Sequence, residues 1–246
     1  MTYLTGFHAI EERIKSAKAN GSSCGPLLVA KAGPRAREIV SLAVNNKIRL
    51  ERVGTFELDS LAPDHRGIAL QVEDDGGGAD ISLEEFIAGL GEKRDVLVLI
   101  LDEITDPHNY GAILRCCDQF GADLVLGRNR RNAKHSEVIS KTSAGAVSWV
   151  AQAETPNLVR AMEDLKEAGF WIYGADMEGE PVYTKDLSGR VAFVLGSEGS
   201  GISRLLRERC DGMVGIPSVG RIESLNVSVA AGVLLYEVRR QLNVDK

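Results

Sequence analysis

Cysteine is scarce in this chain: four in 246 residues, Cys24, Cys116, Cys117 and Cys210, with no CxxC pair among them. A disulfide scaffold is therefore excluded, and reduced thiols are expected. The four histidines, His8, His65, His108 and His135, are dispersed, and no Cys/His set has the spacing of a structural zinc site, so no metal is expected. No apolar run approaches the roughly 18 residues of a membrane span, and the start does not resemble a signal peptide. The expected compartment is the cytoplasm. Positive charge is also lacking: the net charge is −6 and the pI about 5.4. That excludes a whole-surface electrostatic grip on nucleic acid and leaves room only for a local basic patch. Two phosphate-binding signatures are missing as well. GSEGSGIS (196–203) is not followed by Gly-Lys-Ser/Thr, and its glycines run G-x-x-G-x-G, the wrong order for a dinucleotide turn. After the first buried run, VLVLILD (96–102), no glycine occurs until Gly111, which disfavours a nicotinamide-dependent oxidoreductase.

What is present is an alternation of strands and helices around a glycine seam. GGG (76–78) opens a segment, 76–95, that is expected to be a flexible linker, although SLEEFIAGLG (82–91) has the capping-box pattern of a short helix. Residues 1–75 read as a small α/β domain: helices at 7–19 and 34–46, strands at 26–31, 50–53 and 67–73. It holds 10 basic and 10 acidic residues and is neutral. Residues 96–246 read as a second domain. Strands are expected at 96–102, 124–127, 150–154, 171–176, 191–196 and 213–217. Helices are expected at 108–121, 136–147, 156–169, 203–211 and 225–241. This βαβα rhythm predicts an α/β fold with a mostly parallel sheet and helices on both faces.

Three stretches of the second domain carry candidate chemistry. DPHNYGAILR (106–115) reads either as a plain helix start, with Asp106 as cap, Pro107 first and Arg115 paired to Asp118, or as a site offering Asn109 and Arg115. GSEGSGIS is either a strand–turn–helix joint or a loop whose glycines let backbone approach a ligand, with Glu198 at its centre. IPSVGRIESLNVSVAAG (216–232) has Ser224, Asn226 and Ser228 either as helix-start residues or as part of a site. Crevices of α/β sheets form beyond strand C-termini, which is where all three fall.

In this order and at these spacings the three stretches resemble the signature motifs of the SpoU (TrmH-like) branch of SPOUT RNA methyltransferases. The likeness spans about residues 97–241. Residues 1–73 resemble the L30e-like substrate-binding domain found ahead of the catalytic domain in some members, with GFHAIEERIK (6–15) like its start. HRGIALQVE (65–73) is similar to a family segment usually written with His-Gln-Gly, here carrying Arg66. The resemblance implies a trefoil knot in the catalytic domain, a homodimer with its site near the subunit interface, and transfer of a methyl group from S-adenosylmethionine to a ribose 2′-hydroxyl of RNA. It implies cofactor contacts around Gly196, Gly201, Ile216 and Leu225, and catalytic motif residues Asn109, Arg115, Glu198, Ser224 and Asn226. A guanosine of large-subunit (23S) ribosomal RNA is the expected target. A tRNA ribose and a non-catalytic RNA-binding role are the alternatives.

Methyl transfer from a sulfonium to an oxygen is an in-line displacement, so alignment and charge at the oxygen are what a protein must supply. Arg115 is assigned to the reacting hydroxyl or its neighbouring phosphate. A guanidinium stays protonated, so it stabilises a forming alkoxide rather than removing the proton. Asn109, Glu198, Ser224 and Asn226 are assigned to orienting Arg115, the loops and the substrate. The segment RNRRNAKHSEVISK (128–141) holds Arg128, Arg130, Arg131 and Lys134, read as phosphate contacts or, equally, as a solvated loop of charges.

Overall fold

Every residue of VLVLIL, Val96–Leu101, is buried, and the run divides by parity. Leu97, Leu99 and Leu101 join one apolar cluster, whereas Val96, Val98 and Ile100 join another. A strand alternates its side chains between two faces, so this sheet is covered on both. The computed structural model describes residues 2–20, 24–62, 65–72, 80–128, 137–221 and 224–242. The chain forms two units, Met1–Gly77 and Gly78–Lys246.

The first unit runs β1 (Thr2–Leu4), α1 (Phe7–Asn20), β2 (Leu27–Val29), α2 (Pro34–Asn45), β3 (Leu50–Arg52), α3 (Thr55–Leu61) and β4 (Ile68–Val72). Its four-stranded sheet has the order β1-β4-β2-β3, with β2 parallel to β3 and β4 antiparallel to β1 and β2. Ile10 and Ile14 of α1 and Ile39 and Ala43 of α2 pack on one face with Leu27, Ile68 and Leu70. Leu58 of α3 joins Leu28 and Ala69 in a smaller cluster. Neither β1 nor α3 is among the elements expected from sequence.

The second unit runs α4 (Leu83–Ala88), β5 (Val96–Leu101), α5 (Pro107–Phe120), β6 (Leu124–Arg128), α6 (Glu137–Thr142), β7 (Gln152–Thr155), α7 (Leu158–Glu167), β8 (Trp171–Pro181), β9 (Arg190–Leu195), α8 (Arg204–Arg207), β10 (Gly212–Gly215) and α9 (Val227–Gln241). Its six strands pair in the order β10-β8-β9-β5-β6-β7, every pair parallel. Ile113, Leu114 and Cys117 of α5 pack with Leu234, Leu235 and Val238 of α9 on one face. Leu158, Met162 and Leu165 of α7 cover the other, with Leu83 and Leu206.

Residues 80–95 do not form the expected linker. Ser82 caps α4 through the expected box with Glu85, and Ile81, Leu83, Phe86, Ile87 and Leu90 pack into the second unit's core. Their apolar side chains outweigh the acidic composition of the segment. The helix expected over 136–147 stops at Thr142, because Ala144 and Gly145 take positive φ angles. The helix expected over 203–211 shrinks to one turn at 204–207, whereas the strand expected over 171–176 extends to Pro181. Among the described residues no helix is long and apolar enough to cross a membrane, and no His/Cys/Asp/Glu group could hold a metal ion.

Candidate active site

Parallel strands share one direction, so the segments that follow β5, β9 and β10 leave the same edge of the sheet. Each contributes a residue to one hydrogen-bonded cluster. After β5, Asp106 caps α5 by accepting from the His108 amide, and Asn109 lies buried in the helix's first turn. After β9 comes the loop holding Glu198, and after β10 the loop that ends in Asn226, the residue that starts α9. Asn109 donates from Nδ2 to Glu198 Oε1 at 2.9 Å. Asn226 donates from its own Nδ2 to the same oxygen at 2.7 Å and to Asn109 Oδ1 at 2.9 Å. Its Oδ1 accepts from the Ser228 amide and hydroxyl at 2.9 and 2.6 Å. One amide thus caps a helix and joins the other two motifs.

The loop between β9 and α8 is held at both ends. Ser197 and Gly201 exchange backbone hydrogen bonds of 3.0 and 3.2 Å. A Cβ on Gly196 would lie 2.0 Å from the Gly201 carbonyl carbon, so no other residue fits there without displacing the loop. The far end is tied by Asp102, whose carboxylate accepts from the Ser203 amide at 2.8 Å. Asp102 is 1% exposed, its Oδ1 has no hydrogen-bond partner, and neither does the buried Ser203 hydroxyl. Sequence reading passed over Asp102. The signal was a carboxylate directly after six apolar strand residues, where burial demands a partner.

Other expected site residues fall outside the cluster. Arg115 is exposed on α5 and has no hydrogen-bond or ion-pair partner among the described residues. It lies six residues beyond Asn109, which is about 120° around the helix and roughly 9 Å along it. Within one chain it therefore does not face Glu198. Nor does it pair with Asp118, the plain alternative, because Asp118 accepts from the Trp149 indole at 2.6 Å. Ser224 and Leu225 are exposed before α9, and Asn226, not Ser224, is the cap. Ile216 is partly buried against the core just after β10. Arg128 ends β6 facing carboxylates, 3.5 Å from Glu103 and 3.9 Å from Asp102. Arg130, Arg131 and Lys134 lie outside the described residues.

The family model described as "SpoU rRNA Methylase family" matches residues 96–236, the stretch that contains the whole cluster. The chain belongs to the SpoU methylase family. A second model, "RNA 2'-O ribose methyltransferase substrate binding", matches residues 3–75. Like that family, the chain is an RNA 2′-O-ribose methyltransferase using S-adenosylmethionine. It is 39% identical over 241 residues to the 23S rRNA (guanosine-2'-O-)-methyltransferase RlmB of Neisseria meningitidis, covering 96% of this chain and 94% of the relative. It is 42% identical over 213 residues to the RlmB of Xanthomonas campestris, covering 85% of this chain and 84% of the relative. The solved SpoU methyltransferase AviRb of Streptomyces viridochromogenes, in complex with AdoMet, superposes with a TM-score of 0.72 at 23% identity, over 99% of this chain and 91% of that one. At that identity the likeness concerns the fold.

Proposed function

We propose that this SpoU methylase modifies a guanosine ribose of 23S ribosomal RNA, as a homodimer in the cytoplasm. The observation that carries the target is the likeness to RlmB proteins, which at 39% identity runs through both units rather than the catalytic one alone. Residues 1–75 then serve as the RNA-binding domain and residues 96–246 as the catalytic domain, which carries a trefoil knot.

S-adenosylmethionine fits the sheet edge. Backbone bared at Gly201 can approach it closely, Gly196 packs tightly beneath that turn and fixes it, and Ile216 and Leu225 offer apolar surface to its adenosine. Bound there, the cofactor supplies an already activated methyl group. The chain's task is alignment, which can contribute about 7–11 kcal/mol in well-oriented systems. Asn109 and Asn226 hold the Glu198 carboxylate through one oxygen, and Asp102 and Gly196 hold the loop that carries it. Ser224, exposed beside them, is available to the ribose. Arg115 supplies the fixed positive charge for the forming alkoxide, worth about 2.7–4 kcal/mol on the scale of single oxyanion donors.

Because Arg115 points away from its own chain's cluster, it serves the neighbouring protomer's site. Support comes from the surface beside it. Val229, Val233 and Tyr236 form an exposed apolar stripe at i, i+4 and i+7 of α9, and α9 packs along α5 through Cys116–Ser228 and Phe120–Tyr236 contacts. Such a stripe is what a second copy would cover. Mapping 2′-O-methyl marks in RNA from cells with and without this protein tests the target. One lost mark on a guanosine of 23S RNA is expected. A loss confined to tRNA would overturn the assignment.

A further inference from the structure

The cations of the first unit are not distributed evenly. Arg35 is held by Glu11 and Glu38, Arg49 by Glu51, and Lys15 by Glu11. Lys31, Arg52 and Arg66 are exposed and have no acid partner among the described residues, and Arg37 donates only to the Ala32 carbonyl. All four stand at one end of the sheet. Val29 is in register with Arg52 on β3 and with Ile68 on β4, so Lys31, Arg52 and Arg66 leave neighbouring strands on the same side. The turn carrying Arg66 is rigid. His65 accepts from the Gly67 amide at Nδ1 (2.7 Å) and is bonded through Nε2 to Asp59 (2.9 Å). Lys31 and Ala30 both donate to the Gly67 carbonyl, and a Cβ on Gly67 would meet the Lys31 carbonyl oxygen at 1.9 Å. At the same end, four residues after Arg52, Phe56 is 88% exposed, the most exposed aromatic ring among the described residues.

We propose that this end of the first unit is a single-stranded RNA contact: Phe56 is the platform on which an unpaired base stacks, and Lys31, Arg37, Arg52 and Arg66 hold the flanking phosphates. The proposal rests on the RNA-methylating reading and adds residues to it. A protein partner would be recognised through apolar surface with matched charges. Four cations, against Glu57 and Asp59 on α3, around one bare ring suit a polyanion with π-faces.

The test uses the full chain and an unmodified 23S RNA transcript, measuring binding and methyl transfer separately. Phe56→Ala should weaken RNA binding about 5- to 150-fold, the range of single base–aromatic contacts. The KM for RNA should rise alike, with kcat at saturating RNA and S-adenosylmethionine affinity unchanged. Lys31→Ala/Arg52→Ala/Arg66→Ala should flatten the slope of log affinity against log salt by about 2, at about 0.7 for each lost single-strand phosphate contact. Phe56→Trp should keep the affinity and show emission quenched by RNA, against the wild-type background of Trp149 and Trp171. Lys47→Gln, an exposed cation preceding β3 at the opposite sheet end, should change neither affinity nor slope. If the wild type binds RNA and Phe56→Ala or the triple variant binds it equally well, or if Lys47→Gln matches the triple variant, the proposal is overturned. RNA binding by the wild type without methyl transfer would overturn the reaction and leave this contact standing; no binding at all would overturn both.

Discussion

The two units each present chemistry at one end of a sheet, and they do it in opposite ways. In the second unit the polar groups are spent on one another: two amides and one carboxylate bond across separations of 89, 117 and 28 residues. In the first unit the comparable end leaves Lys31, Arg52 and Arg66 without acid partners among the described residues and Phe56 bare. Displacement at a ribose oxygen needs atoms held to tenths of an ångström, so its residues are fixed before substrate arrives. A grip on a charged strand needs only sign and reach, so its residues stay free until the ligand orders them.

The contrast breaks most sharply at Arg115, an arginine assigned to the catalytic unit that, among the described residues, is as unpaired as the cations of the first. Arg115→Ala should lower methyl transfer about 10²–10³-fold, the cost of a lost transition-state donor, with S-adenosylmethionine affinity nearly unchanged. Mixed with an equally inactive Asn226→Ala chain, it should regain activity, because one site of the heterodimer is then whole. No recovery on mixing would place Arg115 in its own chain's site. Gly196→Ala should cost at least about 100-fold in transfer, on the scale of ångström displacements, and weaken cofactor binding as well, while RNA binding by the first unit holds. Binding of cofactor at wild-type strength would show the loop to be less locked than its geometry implies.

Asn226 allows a finer cut. Asn226→Ala should lose a helix cap, worth about 1 kcal/mol, and lower Tm by about 2–4 °C for a unit of this size. Asn226→Asp keeps a capping oxygen but sets a second carboxylate against Glu198, so transfer should fall while Tm, read by calorimetry, stays near that of the wild type. A weaker effect is expected at Glu237, which is buried on α9. Hydrogen bonds from Arg240 hold its carboxyl below the usual glutamate range. A depressed folded pKa stabilises above the unfolded value and is lost as pH falls through the folded one. The Tm gap between wild type and Glu237→Gln should therefore be full near pH 7 and close as pH drops below about 4, the ordinary glutamate range. The smallest effect is chemical. Burial pushes the Cys210 thiol up to about 11 and Cys117 further still, so both should resist alkylation at pH 8 in the folded chain and react on unfolding.

Much of the fold could be read from local pattern. The buried run at 96–101, the proline-led helix at α5 and the box at Ser82 each carry their own cause within a few residues. The three-residue β1 has no room for a period to show, and α3 buries only Leu58, so neither announced itself. The site was legible as three motifs and illegible as a network. Nothing within 106–115 says that Asn109 bonds a residue 89 positions away. The six-residue step from Asn109 to Arg115 did contain the helical phase that sends the arginine elsewhere. Asp102 carried its signal in its place directly after six apolar residues, but its partner, the Ser203 amide 101 positions on, appears only in the fold.

Because the side chain that begins α9 also completes the bonding of Glu198, the centre contains a built-in fuse. Fraying of a single helical turn at Asn226 would strip the acid of one of its two amide donors while Asp102 still ties the loop, dimming the centre with every strand of the sheet still in place.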